Sequence, residues 1–150
     1  MSLTRILACT VILICWPSHA CLPVGPSGPT HIDAVWLNSP QPVSCGPDGS
    51  LVFAGDVASL TCDVRLAYRS DTAVVLVDVF RVGIDGTRVG ASVIAPIRYQ
   101  CDGSKNVYHF DLELVRPLAP ADYRCEVQAW DGSTDYFDAD LENVEFSIEP

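Results

Sequence analysis

Seven cysteines, three histidines and a run of carboxylates near the C-terminus are the residues of this chain whose types could do chemistry. Cys9, Cys15 and His19 fall in an apolar leader, which leaves Cys21, Cys45, Cys62, Cys101 and Cys125 with His31 and His109. No two of those cysteines have Cys-x-x-Cys spacing and none has a histidine neighbour, so the pattern is not that of a zinc site. In an oxidising compartment such thiols form disulfides. Five is odd, and Cys21, in a Pro/Gly-rich stretch, is the one left either free or bonded to a second chain as a disulfide-linked homodimer. His109 alternates with Phe110 on a strand and is expected to face solvent. No serine sits in a nucleophile elbow and no acid is placed to orient a histidine base, so catalysis is not expected. No phosphate loop or metalloprotease motif occurs, and no cofactor is expected. Asp131, Asp135, Asp138, Asp140 and Glu142 fall within twelve residues. On a strand, Asp138, Asp140 and Glu142 would share a face at ~7 Å per step. Calcium wants six to eight oxygens at close range, so these three are weak calcium candidates and chiefly a solvated face.

The elements that must position these residues begin after a leader. Arg5 precedes an apolar stretch from Ile6 to Trp16, then Pro17 and the small-residue site Ser18-His19-Ala20, the pattern of a secretory signal peptide cut after Ala20. The apolar stretch is shorter than the ~20 residues a membrane span needs. Residues 1–20 are thus expected to be the signal, 21–31 a Pro/Gly-rich arm and 32–150 one domain, secreted and released. With Arg5 gone, 19 acids face 8 bases. That excess argues against nucleic acid and anionic membranes as partners, and suits solubility or a basic partner.

Within the domain the period is two. Ala58, Leu60, Cys62, Val64 and Leu66 share one face, with Ser59, Thr61, Asp63 and Arg65 on the other. Ile32 to Leu37 reads as a short first strand closed off by Pro40 and Pro42, and Gly46-Pro47-Asp48-Gly49 as a turn. Val74 to Val82 is apolar and β-branched enough for a central strand covered on both faces. Arg88 to Ile97 is an edge piece interrupted by Pro96. Tyr108, Phe110, Leu112 and Leu114 form a second alternating block. Tyr123, Cys125, Val127 and Ala129 then face inward, Asp131-Gly132 turns the chain, and Val144, Phe146 and Ile148 face inward on the last strand. Seven to nine short strands without helical periodicity make an all-β antiparallel sandwich.

From about residue 50 to 148 the chain resembles an immunoglobulin-like domain. Gly55-Asp56-Val57-Ala58-Ser59-Leu60-Thr61-Cys62 looks like its strand B and Val77-Asp78-Val79-Phe80-Arg81-Val82-Gly83 like C. Leu112-Glu113-Leu114-Val115 and Asp122-Tyr123-Arg124-Cys125-Glu126-Val127 look like E and F. The resemblance implies a Cys62–Cys125 bridge between the sheets, with Tyr123 as the structural tyrosine corner; Cys45 and Cys101 are then expected to form the second disulfide. The tryptophan usual on strand C is absent, with Val77 or Val79 in its place, and Ala119 and Ala121 replace the acid and glycine usual before the tyrosine. The resemblance also implies recognition by loops at one end. There Trp130, Asp131 and Tyr136 flank the last turn, and Tyr68 and Arg69 leave strand B toward the same end, as a site for an extracellular protein partner.

Shorter pieces resemble the ML lipid-recognition family: Trp36-Leu37-Asn38-Ser39-Pro40, and Pro120-Ala121-Asp122-Tyr123 leading into Ala129-Trp130-Asp131-Gly132. That likeness implies an apolar ligand held between two splayed sheets. The expectation is therefore a secreted, non-enzymatic binding protein of the soluble-receptor, decoy or immune-recognition type. A lipid carrier is the alternative, and an acidic matrix or calcium-associated protein the third.

Overall fold

The computed structural model of the protein describes residues 30–41, 43–47, 49–133 and 139–150. Ten strands and no helix lie among them. They are β1 (Ile32–Asn38), β2 (Val43–Cys45), β3 (Leu51–Ala54), β4 (Leu60–Leu66), β5 (Ala73–Val82), β6 (Arg88–Ser92), β7 (Ile97–Gln100), β8 (Val107–Leu112), β9 (Ala121–Asp131) and β10 (Asp140–Glu149). A three-stranded sheet in the order β1-β4-β8 faces a seven-stranded one in the order β2-β3-β10-β9-β5-β6, with β7 also on β5. Neighbours are antiparallel except β3 and β10, which run parallel.

The alternation in the sequence becomes burial. On β4, Leu60, Cys62, Val64 and Leu66 are buried while Thr61, Asp63 and Arg65 are half-exposed. On β9, Tyr123, Cys125, Val127 and Ala129 turn into the same core. β5 lies between β9 and the β6/β7 edge and is buried on both faces except at Leu76 and Arg81, as its largely apolar run predicts. Tyr123 Oη donates to the Ala119 carbonyl at 2.9 Å, pinning the chain where it enters β9.

Three departures from the expected layout have local causes. The edge piece is two strands, β6 on Phe80–Val82 and β7 on Val74–Val77, because Pro96 has no N–H to continue the ladder. The segment Leu112–Val115, read as strand E, mostly follows β8. Leu114 only bridges to Ile94, and β8 (Val107–Leu112) fills the place beside β4. The β2–β3 hairpin was not expected, since β2 is three exposed residues between Pro42 and Gly46. Its turn closes with Gly49 N–H on the Gly46 carbonyl at 3.0 Å, at a left-handed φ of 84° that favours glycine.

Candidate functional site

Three loops meet at the end of the sandwich where β4 passes to β5. Gly132 N–H donates to the Thr72 carbonyl at 2.8 Å, and Gln100 Nε2 to the Asp71 carbonyl at 3.0 Å. Leu66 N–H donates to the Asn106 carbonyl at 2.8 Å, and Ala67 N–H to that of His31 at 2.8 Å. A Cβ on Gly132 would sit 3.0 Å from both the Thr72 oxygen and a Val74 methyl, so glycine is what lets the turn after β9 close on the β4–β5 loop. Ser70 Oγ accepts from the Ala73 amide at 3.1 Å, which stiffens that loop from inside.

On this base Tyr68 stands out, 54% exposed beside exposed Arg69. The rim is acidic. Asp131 Oδ1 accepts from Ser133 N–H at 2.9 Å and from its hydroxyl at 2.7 Å, and Asp102 repeats the pattern with Ser104 at the same distances. Those hydroxyls hold both carboxyls below the ordinary carboxylate range, so the rim stays charged at neutral pH. Tyr68, Arg69 and Asp131 are therefore at one end, as the sequence places them. Trp130, expected beside the same turn, is 4% exposed, pairs with Val74, and lies under the Arg98 guanidinium at 5.4 Å. Tyr136 lies outside the described residues.

A second concave feature lies at the other edge. A groove of about 520 Å³ separates β1 from the β2–β3 hairpin and β10, lined by Val35, Leu37, Val43, Leu51, Phe53 and Val144. Sequence periodicity gave no sign of it, because it depends on β2 and β3 reaching across to β1. Val43, on its rim, is 57% exposed.

The cysteines separate into three situations. Cys62 and Cys125 lie side by side between the sheets as free, buried thiols, and the Cys125 thiol is pushed up by its hydrogen bond with Cys62 and then by burial. The expected Cys45–Cys101 bridge does not form. Cys101 is a free, buried thiol following β7, whereas Cys45 ends β2. Those strands lie at opposite edges of the large sheet, five strand spacings or ~24 Å apart, far beyond disulfide reach. Cys45 is nonetheless disulfide-bonded. With Cys62, Cys101 and Cys125 all free, its partner lies outside the described residues, as does Cys21.

Among the described residues, no group of histidine, cysteine and acid side chains is placed to hold a metal ion. Of the calcium candidates, Asp138 lies outside those residues. Asp140 Oδ2 is engaged by His31 Nδ1 at 2.9 Å and by Ile32 N–H at 2.7 Å, while Glu142 is half-buried further along β10.

His109 is exposed, with Nδ1 2.7 Å from Asp63 Oδ1 and Nε2 3.5 Å from Asp111. The hydrogen bond to Asp63 raises its pKa above the ordinary histidine value. The proton is then held more tightly folded than unfolded. The stabilisation is complete below the ordinary histidine value and disappears as pH rises through the raised one. An NMR titration is expected to place His109 above the ordinary value, and Asp63→Asn to bring it back; equal midpoints in both proteins would remove the pairing.

No family model matches the chain, and no curated protein matches it significantly. Among solved structures it is similar to part of a Bifidobacterium dentium β-glucuronidase complexed with coumarin-3-O-glucuronide, at 14% identity and a TM-score of 0.46. The likeness covers 79% of this chain but 18% of that one, so the chain spans under a fifth of the enzyme's length.

Proposed function

We propose that this is a secreted, non-enzymatic immunoglobulin-like domain that binds an extracellular protein through the loop end carrying Tyr68 and Arg69. The observation that carries the reading is the interlocking of three loops beneath an exposed tyrosine–arginine pair. A surface held rigid before binding loses little entropy on association, and tyrosine and arginine are enriched where binding energy concentrates. The immunoglobulin-like type is supported by the strand orders β1-β4-β8 and β10-β9-β5, which follow A-B-E and G-F-C. It is supported as well by the Tyr123–Ala119 corner bond, and by Cys62 and Cys125 facing each other from B and F. The acidic rim favours a basic partner surface.

A second reading, an apolar-ligand carrier, draws on the groove of about 520 Å³, whose lining mixes apolar side chains such as Leu37 and Phe53 with polar ones such as Asn38 and Glu145.

The secreted protein, screened against an array of extracellular proteins, is expected to give a partner whose binding falls at least ~30-fold in Tyr68→Ala with Arg69→Ala, as for a pair of hot-spot residues. Binding should be unchanged in Val115→Ala, which lies off that end. A partner indifferent to the first pair, or lipid extracted from the native protein, would replace the loop-end reading.

A further inference from the structure

Asp-Gly followed by serine or threonine occurs four times in this chain, as Asp48-Gly49-Ser50, Asp85-Gly86-Thr87, Asp102-Gly103-Ser104 and Asp131-Gly132-Ser133. Such a step can rearrange without an enzyme, because glycine has no side chain to keep its nitrogen away from the preceding carboxyl carbon. We propose that Asp102–Gly103 is a modification site of this protein, isomerising to isoaspartate in the folded state while the fold holds the other steps back.

The glycine amide makes the difference. Its nitrogen must shed a proton and turn toward the carboxyl carbon, and a carbonyl acceptor opposes both. Gly49 N–H donates to the Gly46 carbonyl at 3.0 Å, Gly86 N–H to that of Gly83 at 2.9 Å, and Gly132 N–H to that of Thr72 at 2.8 Å. Among the described residues the Gly103 N–H has no such acceptor.

Asp85 is the matched comparison. Its Oδ1 accepts from Thr87 N–H at 3.1 Å and from the Thr87 hydroxyl at 2.7 Å, as Asp102 Oδ1 does from Ser104 at 2.9 and 2.7 Å. Both aspartates are exposed, and the glycines after them have nearly the same left-handed φ, 74° and 71°. The bonds to Thr87 and Ser104 hold both carboxyls below the ordinary range, and an ionised carboxyl is the poorer electrophile. That restraint slows both steps and separates neither, which leaves the amide.

The chemistry needs only water. The Gly103 nitrogen adds to the Asp102 side-chain carboxyl carbon, the carboxyl hydroxyl leaves as water with the amide proton, and a five-membered succinimide closes. Water then adds to the main-chain carbonyl of the ring. The bond from that carbon to nitrogen breaks, and the chain now runs through the side chain of residue 102 with its mass unchanged. A Cβ on Gly103 would lie 3.3 Å from the Asp71 nitrogen, so this glycine packs against the β4–β5 loop that carries Tyr68 and Arg69. The isoaspartyl link adds one atom to the main chain at that contact and dismantles the side-chain carboxylate that Ser104 binds.

The test ages the full secreted chain for weeks at physiological temperature and pH, once folded and once in guanidinium chloride. Peptide mapping with electron-transfer fragmentation then separates aspartate from isoaspartate at each step. The folded protein is expected to carry about fivefold more isoaspartate at Asp102 than at Asp85, the factor by which one net hydrogen bond restrains the Gly86 amide. In denaturant the four steps are expected to react alike. No isoaspartate at Asp102, as much at Asp85 or Asp131 in the folded protein, or the same ranking folded and unfolded would each overturn the site. None of these results depends on partner binding by Tyr68 or Arg69, so the loop-end reading stands or falls separately.

Discussion

Phe146→Ala is expected to destabilise the domain by about 3–5 kcal/mol, as truncation of a fully buried aromatic does. Phe146 is 1% exposed on β10 and its ring holds two others in place. It stacks on Tyr123 at a centroid distance of 5.5 Å and meets Phe53 edge-on at 5.7 Å. Phe53 belongs to β3 and Tyr123 to β9, so the one side chain joins three neighbouring strands of the large sheet. The backbone there is already committed to β-ladders on both sides of β10, which leaves the cavity little freedom to collapse. Tyr123 would also lose the surface that steers its hydroxyl onto Ala119. The measurement is the shift in denaturant midpoint with the slope unchanged. A loss below about 1 kcal/mol would mean that the core does not depend on this trio.

The second large effect is oxidative. With Cys62 and Cys125 oxidised to a bridge, the protein is expected to be more stable than its reduced form by about 4 kcal/mol, the chain-entropy value for a loop of some 60 residues. The two positions already face each other from opposite sheets, so no strand has to move far. The hydrogen bond with Cys62 and burial push the Cys125 thiol up, which keeps it protonated, and a thiol is a poor nucleophile. Oxidation is therefore expected while the sheets are still apart, and addition of oxidant to the folded, reduced protein to be slow. Unfolding with and without reductant is compared with that of a Cys62→Ala, Cys125→Val protein, which keeps only the effect of reducing the Cys45 bond; the excess in the wild type measures the difference. Equal shifts in the two proteins would mean that the pair stays reduced.

What the sequence made legible was whatever period two could encode. β4, β5, β9 and the inward face of β10 follow from alternation, because each strand has one face in the core or, for β5, nearly none in water. Tyr123 and the nearness of Cys62 to Cys125 were readable because a local motif fixes them to facing core strands, although the two are free thiols and not the expected bridge. The Cys45–Cys101 expectation failed for the opposite reason. Spacing along the chain carries no information about sheet order, and β2 joins the far edge through β3. β2 itself has no buried residue, so no hydrophobic signal marks it. Asp63 and His109 meet only because β4 pairs with β8 in one particular register. The burial of Trp130 was not legible because its cover is Arg98, from a neighbouring stretch of the sheet rather than its own.

The place of β5 in the large sheet has a consequence for synthesis. Its main partner is β9, and about 40 residues separate the end of one from the start of the other. While those residues are being made, Val74–Val82 emerges as a β-branched segment whose Asp78 and Arg81 cancel in charge, with no strand on its β9 side to pair with. Such a segment is the kind that associates between chains. Its edge partners β6 and β7 come off the ribosome first, and they are short and polar enough to mask it without competing with β9. The broken edge thus works as a temporary escort, and a chain stalled before Ala121 should be the form that chaperones hold longest.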